Sequence, residues 1–212
     1  MKITIIYDNE SYKEDLKSDW GFSCLAEIEN IPGILFDTGA SGSILLSNMK
    51  NLNIEPDSIP KVFISHNHWD HVGGLSDFLK VNKSAKIYVP GSYKYSGIKE
   101  VIGIKKPLEI QANVFSTGEL KGIEQSMAIK TVKGIAVIAG CSHPGVGNIL
   151  KAASKFGKVY ALIGGLHGFN EFDLLKELEL ICPCHCTQYK SEIKELYPNK
   201  CIDGGAGRVI SL

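Results

Sequence analysis

The chain has 212 residues, 44% apolar and 22% charged, which is long enough to bury one substantial core and contains no low-complexity tract. Its 23 basic and 23 acidic residues cancel, so no global field draws it to nucleic acid or to an anionic membrane surface, and neither is an expected partner. Arg208 is the only arginine, which disfavours a fork-shaped clamp on a highly phosphorylated substrate.

Residues 3–7 form a β-branched strand that turns polar at Asp8. This start lacks the apolar core and small-residue cleavage site of a secretory signal, so a cytoplasmic location is expected. Strands follow at 23–29 and 33–36, the second running into Asp37-Thr38-Gly39. Ile44, Leu45, Met49 and Leu52 recur at three and four residues, which predicts a helix over 41–52. A strand at 61–64 leads into Ser65-His66-Asn67-His68-Trp69-Asp70-His71-Val72-Gly73-Gly74, and the next helix is expected over 74–81. Strands at 85–89 and 111–115 follow. From residue 135 the elements alternate: strand 135–139, helix 146–156, strand 159–163, helix 171–180, strand 181–183, helix 189–197, and a closing strand at 208–212. No apolar run approaches the ~20 residues that cross a bilayer.

Strands first and strand–helix units afterwards predict an α/β chain, a four-layer αββα sandwich built as one domain over residues 1–212. In layered folds the loops leaving strand ends carry the chemistry, because the sheet fixes their origins. Four such loops hold unusual residues: Asp37-Thr38-Gly39, the histidine loop, Gly140-Cys141-Ser142-His143 and Pro183-Cys184-His185-Cys186.

The histidine loop is the sharpest signal, because three of the six histidines in the chain fall within six residues. Nothing in turn chemistry calls for three imidazoles. Neutral imidazole and carboxylate are ligands for zinc, iron and manganese, and this spacing lets two pairs of groups face two neighbouring ions. A binuclear metal site acting on a small-molecule substrate is the expectation. The six cysteines, in a reducing compartment, read as thiols or metal ligands before disulfides.

These residues resemble the metallo-β-lactamase superfamily: an Asp-Thr-Gly turn after an early strand, then H-x-H-x-D-H as His66, His68, Asp70 and His71, then Gly73-Gly74. Gly-Cys-Ser-His-Pro-Gly, Ile-Gly-Gly-Leu-His and Cys-His-Cys-Thr are similar to its dihydropterin ribofuranosyl-aminobenzene phosphate synthase-like subgroup. The resemblance implies an αββα sandwich with a binuclear site at one edge. His66 and His68 are then ligands of a first ion, Asp70 and His71 of a second, with His143 and His185 as further ligands. Asp37 either orients a ligand imidazole or makes an Asx-turn with Thr38-Gly39. The family's bridging aspartate is replaced by Cys141, either a thiolate ligand or a small buried apolar residue. His167 serves as general acid or substrate contact, or merely as a surface or capping histidine.

The implied reaction is hydrolysis. Two cations, zinc first and iron or manganese as alternatives, present hydroxide to an ester, thioester, lactone, amide or phosphodiester, with Asp70 orienting the nucleophile. Tyr7, Asp8, Asn9, Trp20 and Tyr93-Lys94-Tyr95 are weaker candidates for the pocket wall. A different reading makes Cys182, Cys184, Cys186 and Cys201 the ligands of an iron-sulfur cluster in an electron-transfer protein with a redox partner. Alternation along a strand turns Cys182, Cys184 and Cys186 to one face and His185 to the other, a geometry equally compatible with inert core cysteines.

Overall fold

The computed structural model describes residues 1–28, 31–94 and 101–212. Glu29, expected to end the second strand, and Tyr95, expected near the pocket, lie outside the described residues. In chain order the elements are β1 (Lys2–Tyr7), β2 (Ser23–Ile28), β3 (Ile31–Phe36), α1 (Gly42–Asn51), β4 (Lys61–Phe63), α2 (Trp69–Val72), α3 (Leu75–Val81), β5 (Lys86–Pro90) and β6 (Val101–Ile104). There follow β7 (Leu108–Gln111), β8 (Val114–Ser116), β9 (Met127–Thr131), β10 (Gly134–Ala139), α4 (Val146–Ala153), β11 (Val159–Gly165), β12 (Leu180–Cys184), α5 (Lys190–Leu196) and β13 (Val209–Ser211).

The strands form two mixed sheets, ordered β13-β1-β2-β3-β4-β5-β6 and β12-β11-β10-β9-β8-β7. Pairing from β3 through β6 is parallel, as is pairing from β10 through β12, while the outer hairpins are antiparallel. Alternation decides which side chains meet. Ile34 and Phe36 of β3, Phe63 of β4 and Tyr88 of β5 point inward to Met127, Ile138, Ile163 and Cys182 of the other sheet, forming the seam between the sheets. The intervening Leu35, Val62 and Ile87 point outward onto Leu45 and Met49 of α1 and Phe78 of α3. On the far side Ile135, Val137 and Leu162 pack against Val146 and Ile149 of α4 and Ile193 of α5. Both faces of the parallel strands are therefore covered, which is why β10 reads as an unbroken apolar run. The result is the four-layer αββα sandwich.

Two expected elements differ. The 171–180 helix is only a 3-10 turn over Phe172–Leu175, followed directly by β12. Its carbonyls are taken from outside: Tyr197 Oη donates to Phe172 O, and Lys200 Nζ to Leu175 O and Lys176 O, at 2.8, 3.0 and 2.6 Å. Glu179 N donates to Tyr160 O at 2.7 Å, which starts the β12 pairing before a second helical turn can form. The 111–115 strand is two strands, β7 and β8, reversing at Asn113 with φ of 65°. Asparagine tolerates that left-handed backbone better than most residues. Among the described residues no helix is long and apolar enough to cross a membrane.

Candidate metal centre

The parallel strands of both sheets end at one edge of the sandwich, and their carboxyl ends carry the unusual residues. Asp37 follows β3, His66 and His68 follow β4, Cys141 and His143 follow β10, and His185 follows β12. Asp70 and His71 lie on the single turn of α2, which begins at Trp69. Gly73 and Gly74 come next because the loop presses on its neighbour: a Cβ there would collide with the carbonyl oxygens of Ala40 and Thr38. Backbone strain collects here as well. Asp37, Ser142, His167 and His185 have φ of 51°, 62°, 49° and 49°, a region that non-glycine residues enter uncommonly and at a cost, so four of them at one edge is a concentration of strain.

Two groups of donor atoms converge. His66, His68 and His143 form one, and Asp70, His71, Cys141 and His185 the other, with the atoms in each group within 4.8 Å of one another. The groups adjoin, since the His66 and His71 ring centroids are 4.2 Å apart. The Nε2 atoms of His66, His143 and His185 are buried with no hydrogen-bond partner among the described residues. His185 Nε2 sits 3.2 Å from Asp70 Oδ2 without bonding to it, and His71 Nε2 lies 3.1 Å from Cys141 Sγ. A buried polar atom without a partner is costly, and a cation that accepts nitrogen lone pairs removes the cost at all three. The donors present fit two divalent ions.

A continuous hydrogen-bond chain sets which ring nitrogens carry protons. The Asp37 carboxylate, fully buried, accepts from Ser65 N at 2.7 Å, from Ser65 Oγ at 2.6 Å and from His71 Nδ1 at 2.7 Å. Ser65 Oγ gives its proton to the carboxylate, so it accepts from His66 Nδ1 at 2.9 Å. His71 and His66 thereby hold their protons on Nδ1 and turn Nε2 lone pairs to the site. Among the described residues the Asp37 side chain bonds Ser65 and His71, and makes no Asx-turn with Thr38-Gly39. Asn9, just past β1 of the same sheet, reaches across to His185: its Oδ1 accepts Gly21 N at 3.0 Å and faces His185 Nδ1 at 2.8 Å, which fixes the same tautomer at His185.

Electrostatics agree with ligand readiness at His66, His143 and Asp70, whereas burial at His71 is outweighed by the Asp37 carboxylate, which raises it, and the Cys186 contact, with burial, raises the Cys141 thiol. Burial, then the surrounding imidazoles, hold His66 far below the usual histidine range, and the same causes bring His143 down to about 4. Both are neutral at pH 7, the form that binds metal. Burial opposes the Asp70 charge, but the adjacent His185 and His71 imidazoles outweigh it and keep the carboxyl below its ordinary range. Trp20 Nε1 donates to Asp70 Oδ2 at 3.0 Å from a half-exposed indole at the mouth.

Buried carboxylates also support the loops. Glu124 accepts from the N–H groups of Gly140, Cys141 and Ser142 on Oε1 and of His143 on Oε2, at 2.9 to 3.1 Å. Asp8 accepts His185 N at 2.8 Å and Gly205 N at 3.1 Å. Neither of these roles was expected, nor was the relay through Ser65. Ser65 adjoins the motif and could have been read as its support, but Glu124 sits in an ordinary Ile123-Glu124-Gln125 stretch with no local signal.

Other expected residues scatter. Tyr7 is fully buried, its hydroxyl donating to Asp19, and does not face the site. His167 is exposed at the rim, its ring centroid 5.2 Å from that of His143. A groove of about 220 Å³ beside His66 and His68 is lined by Ser92, Tyr93 and Ile123. The four cysteines that the alternative, iron-sulfur reading groups together do not converge. Cys182 and Cys184 lie in the seam with sulfurs 3.8 Å apart, while Cys201 is in the outer core under α5. Cys186, past the end of β12, breaks the strand alternation and turns to Cys141, with the two sulfurs 3.3 Å apart.

Comparison with known proteins agrees with this architecture. A family model described as "Metallo-beta-lactamase superfamily" matches residues 32–145. A Methanocaldococcus jannaschii protein named 7,8-dihydropterin-6-methyl-4-(beta-D-ribofuranosyl)-aminobenzene-5'-phosphate synthase is 31% identical, the alignment covering 89% of this chain and 88% of the relative. The crystal structure of Tm1679, "a metal-dependent hydrolase of the beta-lactamase superfamily", superposes with a TM-score of 0.80 at 27% identity, covering 100% of this chain and 99% of the other. The metallo-beta-lactamase fold protein YhfI from Bacillus subtilis, at 15% identity and covering 99% of each chain, shares the fold with a TM-score of 0.70.

Proposed function

Because this chain belongs to the metallo-β-lactamase superfamily, we propose that it is a metal-dependent hydrolase of a small-molecule ester, thioester, lactone or phosphodiester. The observation that carries the reading is the pair of adjoining donor groups in which three buried Nε2 atoms lack any other partner among the described residues. His66, His68 and His143 hold one ion; Asp70, His71, His185 and Cys141 hold the other. Two divalent ions, zinc first and iron or manganese as alternatives, supply an activated water and a Lewis acid for the substrate oxygen.

The chain's own residues do the rest. Asp37 and Ser65 keep His71 and His66 in the liganding tautomer, and Asn9 does so for His185. Trp20 restrains Asp70, the ligand that faces the entering nucleophile. The groove beside His68 receives the part of the substrate that leaves, with Tyr93 and Ile123 as its walls and Ser92 as a polar contact. His167, at the rim, hands a proton to the leaving atom.

A second reading is bond formation, favoured by the 31% identity to the M. jannaschii synthase. Metal analysis followed by a substrate panel separates the two readings. Hydrolysis of at least one ester, thioester, lactone or phosphodiester, lost in a His66→Ala/His68→Ala double variant, supports the first. Unchanged turnover in that variant refutes the metal mechanism. Formation of the dihydropterin-aminobenzene product named for the relative, with no hydrolysis across the panel, selects the second.

A further inference from the structure

Cys141 and Cys186 come from separate loops, one beyond β10 and the other beyond β12, yet their sulfurs stand 3.3 Å apart. The approach is built into the backbone. A Cβ on Gly165 would lie 2.9 Å from the Cys186 sulfur and would overlap the carbonyl oxygen of Gly140, so only glycine leaves the slot that Cys186 occupies. No other cysteine has this setting. Cys182 and Cys184 are two residues apart on one strand, where the Cα separation of about 6.6 Å is at the edge of what a disulfide spans. They are also sealed in the seam, at 1% and 0% exposure. Cys24 and Cys201 are buried in two different cores. Cys186 is 9% exposed next to the exposed His167, so a water-sized oxidant reaches it from the rim.

We propose that Cys141 and Cys186 are a modification site at which a hydroperoxide, hydrogen peroxide in the simplest case, forms a reversible disulfide. The Cys186 sulfur attacks one peroxide oxygen: an S–O bond forms, the O–O bond breaks, and the departing hydroxide leaves as water with a thiol proton. The Cys141 sulfur then attacks the Cys186 sulfur: the S–S bond forms, the S–O bond breaks, and a second water leaves with the other thiol proton. Two thiols are oxidised by two electrons and one peroxide is reduced to two waters. The sulfurs need to close by roughly 1.3 Å to reach the ~2.0 Å bond length. A dithiol reductant reverses the reaction by exchange.

The consequence for metal binding rests on the reading of Cys141 as a ligand. Its sulfur lies 3.1 Å from His71 Nε2, and joined to Cys186 it no longer offers a thiolate, leaving Asp70, His71 and His185 to hold the second ion. The test is peptide mapping of the full chain after hydrogen peroxide and alkylation without reduction, with zinc retention against a chelator measured before and after. The expected result is a Cys141–Cys186 linked peptide, alkylated Cys24, Cys182, Cys184 and Cys201, a second zinc equivalent that a chelator removes more readily than before oxidation, and recovery on adding dithiothreitol. A Cys186→Ser variant is expected to form no cross-link and to keep its zinc under the same treatment. Free or singly oxidised Cys141 and Cys186, or a cross-link through another cysteine, overturns the proposal. If the reduced chain takes up no zinc, the ligand reading fails, while the peptide map still decides the oxidation site.

Discussion

Asp37→Asn changes one atom in the site but reverses the protons on both sides of it. The asparagine oxygen must face Ser65 N, because an amide N–H there would meet another donor. Its NH2 then points at Ser65 Oγ and His71 Nδ1, where the carboxylate now accepts at 2.6 and 2.7 Å. Ser65 accepts from the amide and turns its own hydroxyl proton to His66 Nδ1, and His71 Nδ1 becomes an acceptor. Both imidazoles move their protons to Nε2, one in each donor group. Loss of such a supporting carboxylate costs about 10–100-fold in metal affinity, or roughly 1.4–2.7 kcal/mol per ion, and here it falls on both ions. Chelator competition on the two proteins reads this directly. The expected outcome is two weakened zinc equivalents with an unchanged fold by circular dichroism. Wild-type affinity at both equivalents, or a defect confined to one, refutes the relay through Ser65.

Other perturbations follow from the same geometry. Glu124→Gln removes charge-assisted acceptance from four consecutive N–H groups; at about 1.5–3 kcal/mol for a hydrogen bond to a charged group, urea unfolding should show a loss of at least about 2 kcal/mol, and the His143 group should bind its ion more weakly. Gly74→Ala drives a Cβ into Thr38 O and, by the ~1–3 kcal/mol typical of overpacking, lowers the melting temperature, whereas Gly122→Ala, which meets nothing within 4 Å among the described residues, tests the cost of its left-handed backbone. Burial, then the Asp19 carboxylate, raises the Tyr7 hydroxyl above its ordinary value. A raised folded-state pKa contributes stability that is complete below about pH 10 and is lost as pH climbs through the folded value. The unfolding free energy of wild type should therefore exceed that of Tyr7→Phe by about 1 kcal/mol at pH 8 and lose that advantage above about pH 10; a constant difference across that range contradicts the assignment.

The sandwich was legible because its parallel strands are buried on both faces and so announce themselves as apolar runs, as β4, β10 and β11 do. The histidine loop was legible because its donors are contiguous. What the sequence concealed was assembled over long separations: Asn9 meets His185 across 176 residues, and Glu124 caps a loop 16 to 19 residues onward with no periodic trace. The failed 171–180 helix has the same cause. Its apolar spacing is helical, but its carbonyls are claimed by Tyr197 and Lys200, residues that only the tertiary fold brings near. Cys186 deceived because strand alternation was extended past Cys184, where β12 ends.

Each donor group draws from both layers: His66 and His68 hang from one sheet and His143 from the other, while Asp70 and His71 face Cys141 and His185 across the same divide. Any cation lodged there acts as a suture between two slabs whose other ties are a greasy, non-directional seam and a few hydrogen bonds, such as Gln125 to Ile64 O and His185 N to Asp8. Stripping the ions should therefore let the halves slide before either slab melts, and the midpoint of thermal unfolding becomes a gauge of metal occupancy.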